Sequence, residues 1–334
     1  MDIMNFIRLM RPKQWFKSFY ILIGAIPAIL LMPQHSLIST LILFVGILDM
    51  ILIQGVMYTV NDIYDLKKDK KHPTKKFRPI ASGKISVNQA KLFALFLFIF
   101  ATIISVFIDY RLLIINVILI INNFFYSVKP IRLKSKPNLD FLFAALNFPL
   151  RVVVGWYLLE PYNKARFNIN LVSSKIILPL EDIQTMLFNI PQRIYNIKIT
   201  FSTVTLTFIS IFLFTYFLAC FLLIAKRLGE RISFGKKAKF YRESQEFYST
   251  NQLETYMKIF AFLSIIMFSV FLWSLKFIFL VVLPLFVIQL YTYYNMTHEK
   301  YNIAKEPEKL FAKKKSFIFI SLVMLLIIYL LLFV

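Results

Sequence analysis

The sequence predicts an all-α, polytopic membrane protein, a helical bundle of about nine transmembrane helices. Hydrophobic residues make up 59% of the 334 residues, and the mean hydropathy of +0.69 is well above that of soluble domains. Long uncharged apolar stretches recur at lengths that can cross a hydrocarbon core of about 30 Å, which takes about 20 helical residues. These stretches do not alternate between apolar and polar residues, as the strands of a membrane β-barrel do.

Each predicted span is one of these apolar stretches. The fourth is short, and only Lys276 separates the seventh from the eighth, so the number is nine to within one helix. We expect the whole chain, 1–334, to form a single transmembrane domain. The predicted spans are 18–32, 37–60, 90–108, 112–126, 141–159, 201–225, 259–275, 277–294 and 316–334.

The basic residues predict the orientation in a cell membrane. Of the 39 Lys and Arg residues, 29 lie on one side of the predicted spans and 7 on the other. The positive-inside rule places the basic side in the cytoplasm, so we expect a cytoplasmic N-terminus and an outer C-terminus. The loop 160–199 then lies outside. The basic side comprises the N-terminal segment and the loops 61–87, 127–138, 226–254 and 297–315.

The net charge of +22 has a simple physical explanation. Attraction to anionic lipid, at about 1 kcal/mol per basic residue, accounts for most of the lysines. We expect no nucleic-acid partner, because no recognition module is separate from the membrane spans. Cys220 is the single cysteine, which excludes an intrachain disulfide and a cysteine-based metal site.

An acidic stripe follows the second span. If that helix continues beyond the membrane, Asn61, Asp65 and Asp69 lie one turn apart on one face. One amide and two carboxylates offer hard oxygen ligands, which suit an Mg²⁺ ion that keeps several waters and also binds substrate phosphates. Asp62 is expected to orient this group or to contact substrate. The alternative is a solvated acidic helix end.

A basic turn follows the stripe. Pro73 restricts the conformation of His72, so the helix is expected to end there and the chain to turn back. Lys75 and Arg78 would then return toward the metal and hold a phosphate or pyrophosphate. His72 either donates to a phosphate or caps the turn, and Gly83 is expected to end it.

The pattern Asn61, Asp62, Asp65, Asp69 resembles the first signature of the UbiA superfamily of intramembrane prenyltransferases, NDxxDxxxD. Within that superfamily the chain most resembles the decaprenyl-phosphate phosphoribosyltransferase branch, over residues 8 to 250. Further likeness to that branch is found at Arg11 to Lys17, His72 to Lys75, Arg78 to Gly83, Tyr126-Ser127, Lys134, Asp140, Leu150-Arg151, Lys226-Arg227, Glu230, Tyr241-Arg242 and Tyr248-Ser249.

The resemblance implies transfer of 5-phosphoribose from phosphoribosyl pyrophosphate to a polyprenyl phosphate, with release of pyrophosphate and with Mg²⁺ as cofactor. It implies that Asp62, Asp65 and Asp69 are catalytic, and that Asn61, Asp65 and Asp69 bind the metal. It implies that Lys75 and Arg78 bind the pyrophosphate, and that the 5-phosphate is bound by Lys226, Arg227, Tyr241 and Arg242. Glu230 would bind the ribose hydroxyls or a metal-bound water. The lipid phosphate would be bound by Gln14, Lys17 and Lys134, and the other implied substrate-binding residues are Tyr126 and Arg151.

The loop 226–254 favours this branch over aromatic prenyltransferases, which carry a second aspartate-rich motif in the corresponding loop. Here that loop is basic, with only scattered glutamates. A sugar that carries both a pyrophosphate and a 5-phosphate calls for fixed cations of this kind. Two other classes stay open: transfer of a prenyl group from prenyl diphosphate to an aromatic or glycerol-phosphate acceptor, and a transporter or lipid-binding scaffold without chemistry.

Several of these residues have a bland alternative. Membrane-surface anchoring explains Lys17, Lys134 and Arg242 as well as substrate contact does, and Tyr126 suits an interfacial aromatic position. Tyr126 and Lys134 are about three residues further apart than the branch pattern. Loop 160–199 is longer than in the branch and is expected to cap the outer face. Two charged residues lie within spans, and we expect either an ion pair of Asp49 with Arg151 or an Arg151 that binds the lipid.

Overall fold

The computed structural model of the chain describes residues 3–31, 37–72, 74–159, 201–235, 238, 242–298 and 315–331. Every regular element within these ranges is helical. Eight of the described helices are long and apolar enough to cross a membrane, and a further helix has a shorter apolar stretch, Ile318–Ile328. The prediction of an all-α membrane bundle with about nine spans is therefore confirmed.

The described residues fall into two compact units, each with its own interior. Unit 1 lies within Met1–Leu133 and Leu150–Phe188, and unit 2 within Lys134–Pro149 and Asn189–Val334. The expectation of a single domain over 1–334 stays a prediction.

The helices of the first part of the chain position the acidic stripe. Helix α1 is followed by a 3₁₀ helix, Pro12–Tyr20, which continues into α2. Asp65 separates α3 from α4, and a second 3₁₀ helix, Lys75–Phe77, precedes α5. The bounds are α1 Ile3–Leu9, α2 Ile21–Leu31, α3 Leu37–Tyr64, α4 Leu66–Asp69, α5 Val87–Ile108 and α6 Tyr110–Ser127.

The remaining helices follow a 3₁₀ turn at Leu133–Ser135. Two more 3₁₀ helices, Glu243–Phe247 and Phe277–Val282, precede α10 and α11 respectively. Helix α8 begins in unit 2 and ends in unit 1. The bounds are α7 Leu139–Ala145, α8 Asn147–Leu159, α9 Phe201–Phe234, α10 Thr250–Leu275, α11 Leu283–His298 and α12 Lys315–Leu331.

Short polar residues fix where several of these helices begin. Ser86 and Gln89 form a reciprocal capping box at the start of α5, since each side chain pairs with the backbone N–H of the other residue. Asp109 accepts from the N–H of Arg111 at the start of α6, and Ser249 accepts from the N–H of Gln252 at the start of α10. The first of these caps fixes the point at which the loop after the acidic stripe re-enters an apolar span.

A buried polar cluster joins three helices of unit 1. Asp49 on α3 is fully buried and accepts from Asn116 Nδ2 on α6 at 2.8 Å and from Ser105 Oγ on α5 at 3.3 Å. Arg151 Nη2 lies 3.4 Å from Gln54 Oε1. The expected ion pair between Asp49 and Arg151 is therefore wrong: neutral groups from neighbouring helices satisfy the carboxylate instead.

The interior of unit 2 is apolar and aromatic. Phe141 of α7 packs edge-on against Phe260 of α10, with ring centroids 5.8 Å apart. Phe214 of α9 contacts Phe268 and Phe286 at centroid distances of 4.7 and 5.5 Å. Such pairs add to the stability that burial of their area provides. They connect α7, α9, α10 and α11.

Candidate functional site

The acidic stripe runs from the last turn of α3 into α4. The Asp65 N–H donates to the Asn61 carbonyl at 3.0 Å, and the Asp69 N–H donates to the Asp65 carbonyl at 2.8 Å. This i to i−4 bonding crosses the junction of α3 and α4, so the helical spacing on which the predicted stripe depends is confirmed. Asp62 and Asp69 are each 3% exposed, which is rare for carboxylates without partners.

Arg78 lies between two of these carboxylates. Its Nη1 donates to Asp62 Oδ1 at 3.0 Å and to Asp69 Oδ2 at 2.6 Å. The prediction that Arg78 returns toward the acidic stripe is thus confirmed. Its guanidinium occupies a position from which it can neutralise either carboxylate or a bound phosphate.

The turn that returns Arg78 is held by His72. The Nδ1 of His72 lies 3.2 Å from the N–H of Thr74 and 3.3 Å from that of Lys75, and it accepts from both. Partial burial, reinforced by the charge of Lys75, lowers the pKa of His72, which favours the neutral ring that this acceptor role requires. Of the two expected roles, the structure supports capping of the turn. Pro73 lies outside the described residues.

Arg11 is a second partner of Asp62, a role that was not predicted for it. It follows α1 with a left-handed backbone, φ 53°, and its guanidinium lies 4.4 Å from the centroid of the Tyr58 ring. From there Nη2 donates to Asp62 Oδ1. The two residues are 51 positions apart. The resemblance at Arg11 to Lys17 was the one indication that this segment matters. The spacing of residues in the sequence does not predict a contact between positions so far apart.

The end of α6 and the loop after it contribute two further partners of the stripe. Arg132 Nη2 donates to Asp65 Oδ1 at 3.1 Å, and Ser127 Oγ donates to Asn61 Oδ1 at 3.1 Å. Sequence reasoning missed both contacts. The sequence feature closest to Arg132 was the extra length between Tyr126 and Lys134, and it did not predict the contact with Asp65.

The stripe has the oxygen ligands that a magnesium site needs, and its carboxylates also pair with arginines. Within the described ranges no three or more His, Cys, Asp or Glu side chains gather closely enough to hold a metal by themselves. Mg²⁺ in phosphate-handling sites takes one or two carboxylates and completes its shell with waters and phosphate oxygens. The carboxylates of Asp62, Asp65 and Asp69 and the amide oxygen of Asn61 fit an ion held in this way.

Unit 2 contains a buried ion pair of Asp140 and Arg227. Asp140 is fully buried and accepts from Arg227 Nε at 2.8 Å, Ser244 Oγ at 2.9 Å and Tyr248 Oη at 2.6 Å. Arg227 is 1% exposed. Its guanidinium therefore neutralises Asp140 in the interior and fixes α7 to α9. The expected contact of Arg227 with a substrate phosphate stays a prediction.

Glu230 lies one turn beyond Lys226 on α9, beside the same pair. Its Oε2 accepts from Gln245 Nε2 at 3.2 Å and lies 3.6 Å from Arg242 Nε. Gln245 Nε2 also donates to the Arg227 carbonyl at 2.9 Å. The expected neighbours Lys226, Arg227, Glu230 and Arg242 therefore belong to one unit, while Tyr241 lies outside the described residues. Burial and the Asp140 carboxylate raise the pKa of Tyr248 above its usual value.

The other predicted binding residues are distributed along both units. Gln14 and Lys17 lie on the first 3₁₀ helix, where the Gln14 carbonyl accepts from Gln54 Nε2 at 2.9 Å. Arg151 is 4% exposed on α8. The remaining three, all partly buried, are Lys75 in the turn after α4, Tyr126 in the last turn of α6 and Lys134 in the 3₁₀ turn of Leu133–Ser135.

Fold and site together define a class: a multi-pass helical membrane protein with an arginine-paired acidic stripe at the end of a span. Residues 21–323 match the UbiA prenyltransferase family, and the chain belongs to this family. By its name this is a family of transferases. The resemblance inferred from the NDxxDxxxD pattern is therefore confirmed.

Relatives with different activities are similar to this chain. A decaprenyl-phosphate phosphoribosyltransferase of Corynebacterium glutamicum is 38% identical over 86 residues, 25% of this chain and 25% of that protein. A digeranylgeranylglyceryl phosphate synthase of Saccharolobus solfataricus is 38% identical over 86 residues, 25% of this chain and 30% of that protein. The matched part thus spans less than a third of either relative.

Solved structures show the same fold. A UbiA homologue from Archaeoglobus fulgidus, bound to GPP and Mg²⁺, superposes with a TM-score of 0.61 at 18% identity over 96% of each chain. At this identity the likeness is one of architecture.

Proposed function

We propose that the chain is a magnesium-dependent transferase that moves 5-phosphoribose from phosphoribosyl pyrophosphate to a polyprenyl phosphate and releases pyrophosphate. The observation that carries the proposal is the acidic stripe of unit 1, whose carboxylates are each paired with an arginine. Such a group has both kinds of contact that a metal-bound diphosphate needs: oxygen ligands for the metal and guanidinium groups for the phosphates.

The metal would be held by Asn61, Asp65 and Asp69. When bound, Mg²⁺ neutralises charge on the departing diphosphate. Arg78 and Lys75 would hold the phosphate oxygens, since Arg78 already contacts two of the carboxylates and Lys75 lies in the same turn. Asp62 would keep Arg78 in position through its own pair with Arg11.

The reaction needs little proton transfer. The bond between the anomeric carbon and the diphosphate oxygen breaks, and a bond forms from that carbon to an oxygen of the lipid phosphate. A phosphate monoester is already an adequate nucleophile, so positioning and electrostatic stabilisation supply most of the rate. We assign Gln14, Lys17 and Lys134 to the lipid phosphate, and Tyr126 and Arg151 to binding of the lipid substrate.

The charge of the loop after α9 supports phosphoribose rather than a prenyl chain as the transferred group. The segment 226–254 contains no aspartate. Its described cations include Lys226, Arg227 and Arg242, and Arg242 lies beside Glu230. A 5-phosphate and ribose hydroxyls would use such cations and a carboxylate, whereas a prenyl chain carries neither group. A relative named as a phosphoribosyltransferase is in keeping with this choice.

A transfer assay tests the proposal. Nanodiscs with the purified protein receive Mg²⁺, polyprenyl phosphate and phosphoribosyl pyrophosphate labelled in the ribose, and label is followed into the lipid phase. Asp65→Asn and Asp69→Asn are expected to lower transfer by about 100-fold or more, because they remove charge from the metal-binding group. Glu246→Gln, the same charge change at an exposed position of unit 2, serves as the control.

Three results would overturn the proposal. Transfer that persists at full rate with a chelator would exclude the metal. Absence of phosphoribosyl transfer, together with prenyl transfer from a labelled prenyl diphosphate to an aromatic or glycerol-phosphate acceptor, would assign the chain to the other activity of this superfamily. Uptake of a solute by vesicles without either transfer would indicate a transporter.

We also propose that the N-terminus and this site face the cytoplasm of a cell membrane and that the C-terminus lies outside. Cys220 is buried, so it gives little background in thiol labelling. A cysteine introduced at the exposed Lys84 is expected to react with an impermeant maleimide in inverted vesicles and not in intact cells. The opposite pattern would reverse the orientation.

A further inference from the structure

Arg132 is held in an unusual backbone conformation beside the acidic stripe. It follows α6 in the loop that is longer than the branch pattern, and its N–H donates to the Val128 carbonyl at 2.7 Å. Its φ is 37°, one of three positive values at non-glycine residues within the described ranges; Arg11 is another. L-residues disfavour this region, and such residues cluster at functional sites.

The side chain of Arg132 is directed at the middle of the stripe. Nη2 lies 3.1 Å from Asp65 Oδ1, and the two side chains are 12% and 15% exposed. Because both side chains are largely screened from water, each one helps to neutralise the charge of the other. Asp65 is also a residue that we assign to the metal.

Three arginines neutralise the three carboxylates of the stripe. Arg11 pairs with Asp62, Arg78 bridges Asp62 and Asp69, and Arg132 pairs with Asp65. A divalent ion on Asp65 would compete with Arg132 for the same carboxylate, and a largely buried cation that loses a charged contact is stabilised by a new one. The anion that arrives with the metal is the diphosphate, and a guanidinium binds phosphate oxygens as well as it binds a carboxylate.

We propose that Arg132 is a further catalytic residue. Its guanidinium pairs with Asp65 before substrate binds, and it contacts the diphosphate instead when the metal binds Asp65. The proposal rests on the proposed function only in requiring a metal-bound diphosphate. Arg132 therefore opposes binding of the metal alone and favours binding of metal and diphosphate together. If the ion pair were purely structural, replacing Arg132 would change neither the pyrophosphate affinity nor the metal concentration that pyrophosphate binding requires.

Binding measurements on whole protein in nanodiscs test this exchange. The probes are Mn²⁺ alone, followed by the paramagnetic resonance of the free ion, and inorganic pyrophosphate in the presence of Mn²⁺. Arg132→Gln is expected to bind Mn²⁺ alone severalfold more tightly, because the competing cation is gone. It is expected to bind pyrophosphate about tenfold more weakly, because a charge-assisted contact is lost. Lys129→Gln, an exposed cation of the same loop, is expected to leave both affinities unchanged.

Unchanged Mn²⁺ affinity, or unchanged pyrophosphate affinity, in Arg132→Gln would overturn the exchange. If that variant does not fold, Arg132→Lys keeps the charge without the planar fork and is expected to weaken pyrophosphate binding to a smaller extent; wild-type affinities for both probes would overturn the exchange. A wild-type protein that binds no pyrophosphate with Mn²⁺ would instead overturn the proposed function itself.

Discussion

Gly24 and Gly155 lie at a crossing where two helices of unit 1 meet backbone to backbone. A Cβ placed on Gly24 would be 1.8 Å from the Val152 carbonyl oxygen, and one placed on Gly155 would be 1.8 Å from the Ile21 carbonyl oxygen. Small residues permit this close approach between membrane helices. The crossing positions α2 against α8, which carries Arg151.

Gly24→Ala is expected to destabilise unit 1 because the obstructing atoms belong to the backbone and cannot rotate away. Overpacking of this kind costs about 1–3 kcal/mol. The measurement is the midpoint of thermal unfolding in detergent. Gly46→Ala is the matched control, since its Cβ would meet Leu158 Cδ1 at 2.2 Å, the end of a flexible side chain. Equal losses in the two variants would contradict the crossing.

Asp140→Asn is expected to lower the free energy of unfolding by about 3–5 kcal/mol, because it leaves the buried Arg227 without its anion. Asp140→Asn with Arg227→Met removes both charges and is expected to recover part of that loss. Chemical unfolding of the two single variants and the double variant gives the coupling energy. Additive effects would show that the two side chains do not stabilise each other.

Alkaline pH is expected to destabilise unit 2 through Tyr248. Burial and Asp140 raise its pKa in the folded protein above the unfolded value of 10.0, so the folded state retains the proton longer. The stability from this group is fully present below the unfolded pKa and is lost as the pH rises above it. Thermal midpoints between about pH 8 and pH 11 should fall less steeply in Tyr248→Phe than in wild type. Parallel slopes would contradict this account.

Asp49→Leu is expected to cost about 1–3 kcal/mol, since it leaves the buried Asn116 Nδ2 without one of its acceptors. Asp49→Asn keeps the size and an acceptor oxygen and is expected to cost less. Hydrogen exchange of α3, α5 and α6 in the two variants distinguishes local loosening from global unfolding. A Leu variant as protected as wild type would show that the cluster contributes nothing.

The sequence was sufficient for the spans and for the stripe because both depend on local periodicity. Apolar length predicted the helices, and the four-residue spacing of Asn61, Asp65 and Asp69 predicted their common face. The turn at His72 also followed from local rules, since proline fixes the backbone around it.

The partners of the stripe did not follow from local rules. Arg11 and Arg132 reach Asp62 and Asp65 through contacts 51 and 67 positions apart, and both depend on left-handed backbone conformations that no residue type announces. The Asp49 to Arg151 pair was wrong for the related reason that depth along two helices does not fix which faces meet. Ser105 and Asn116 satisfy Asp49 because α5 and α6 turn polar groups toward it.

The Asp49 cluster has a consequence for the azimuth of α3. Turning that helix by a single residue, about 100°, would point a carboxylate at hydrocarbon, which membrane helices disfavour strongly. The contacts of Asp49 therefore fix the rotation of α3 about its axis, and the same helix carries Asn61 and Asp62 near its C-terminal end. The rotational setting of the proposed metal ligands is therefore determined deep within the span, far from the metal and phosphates that we propose they bind.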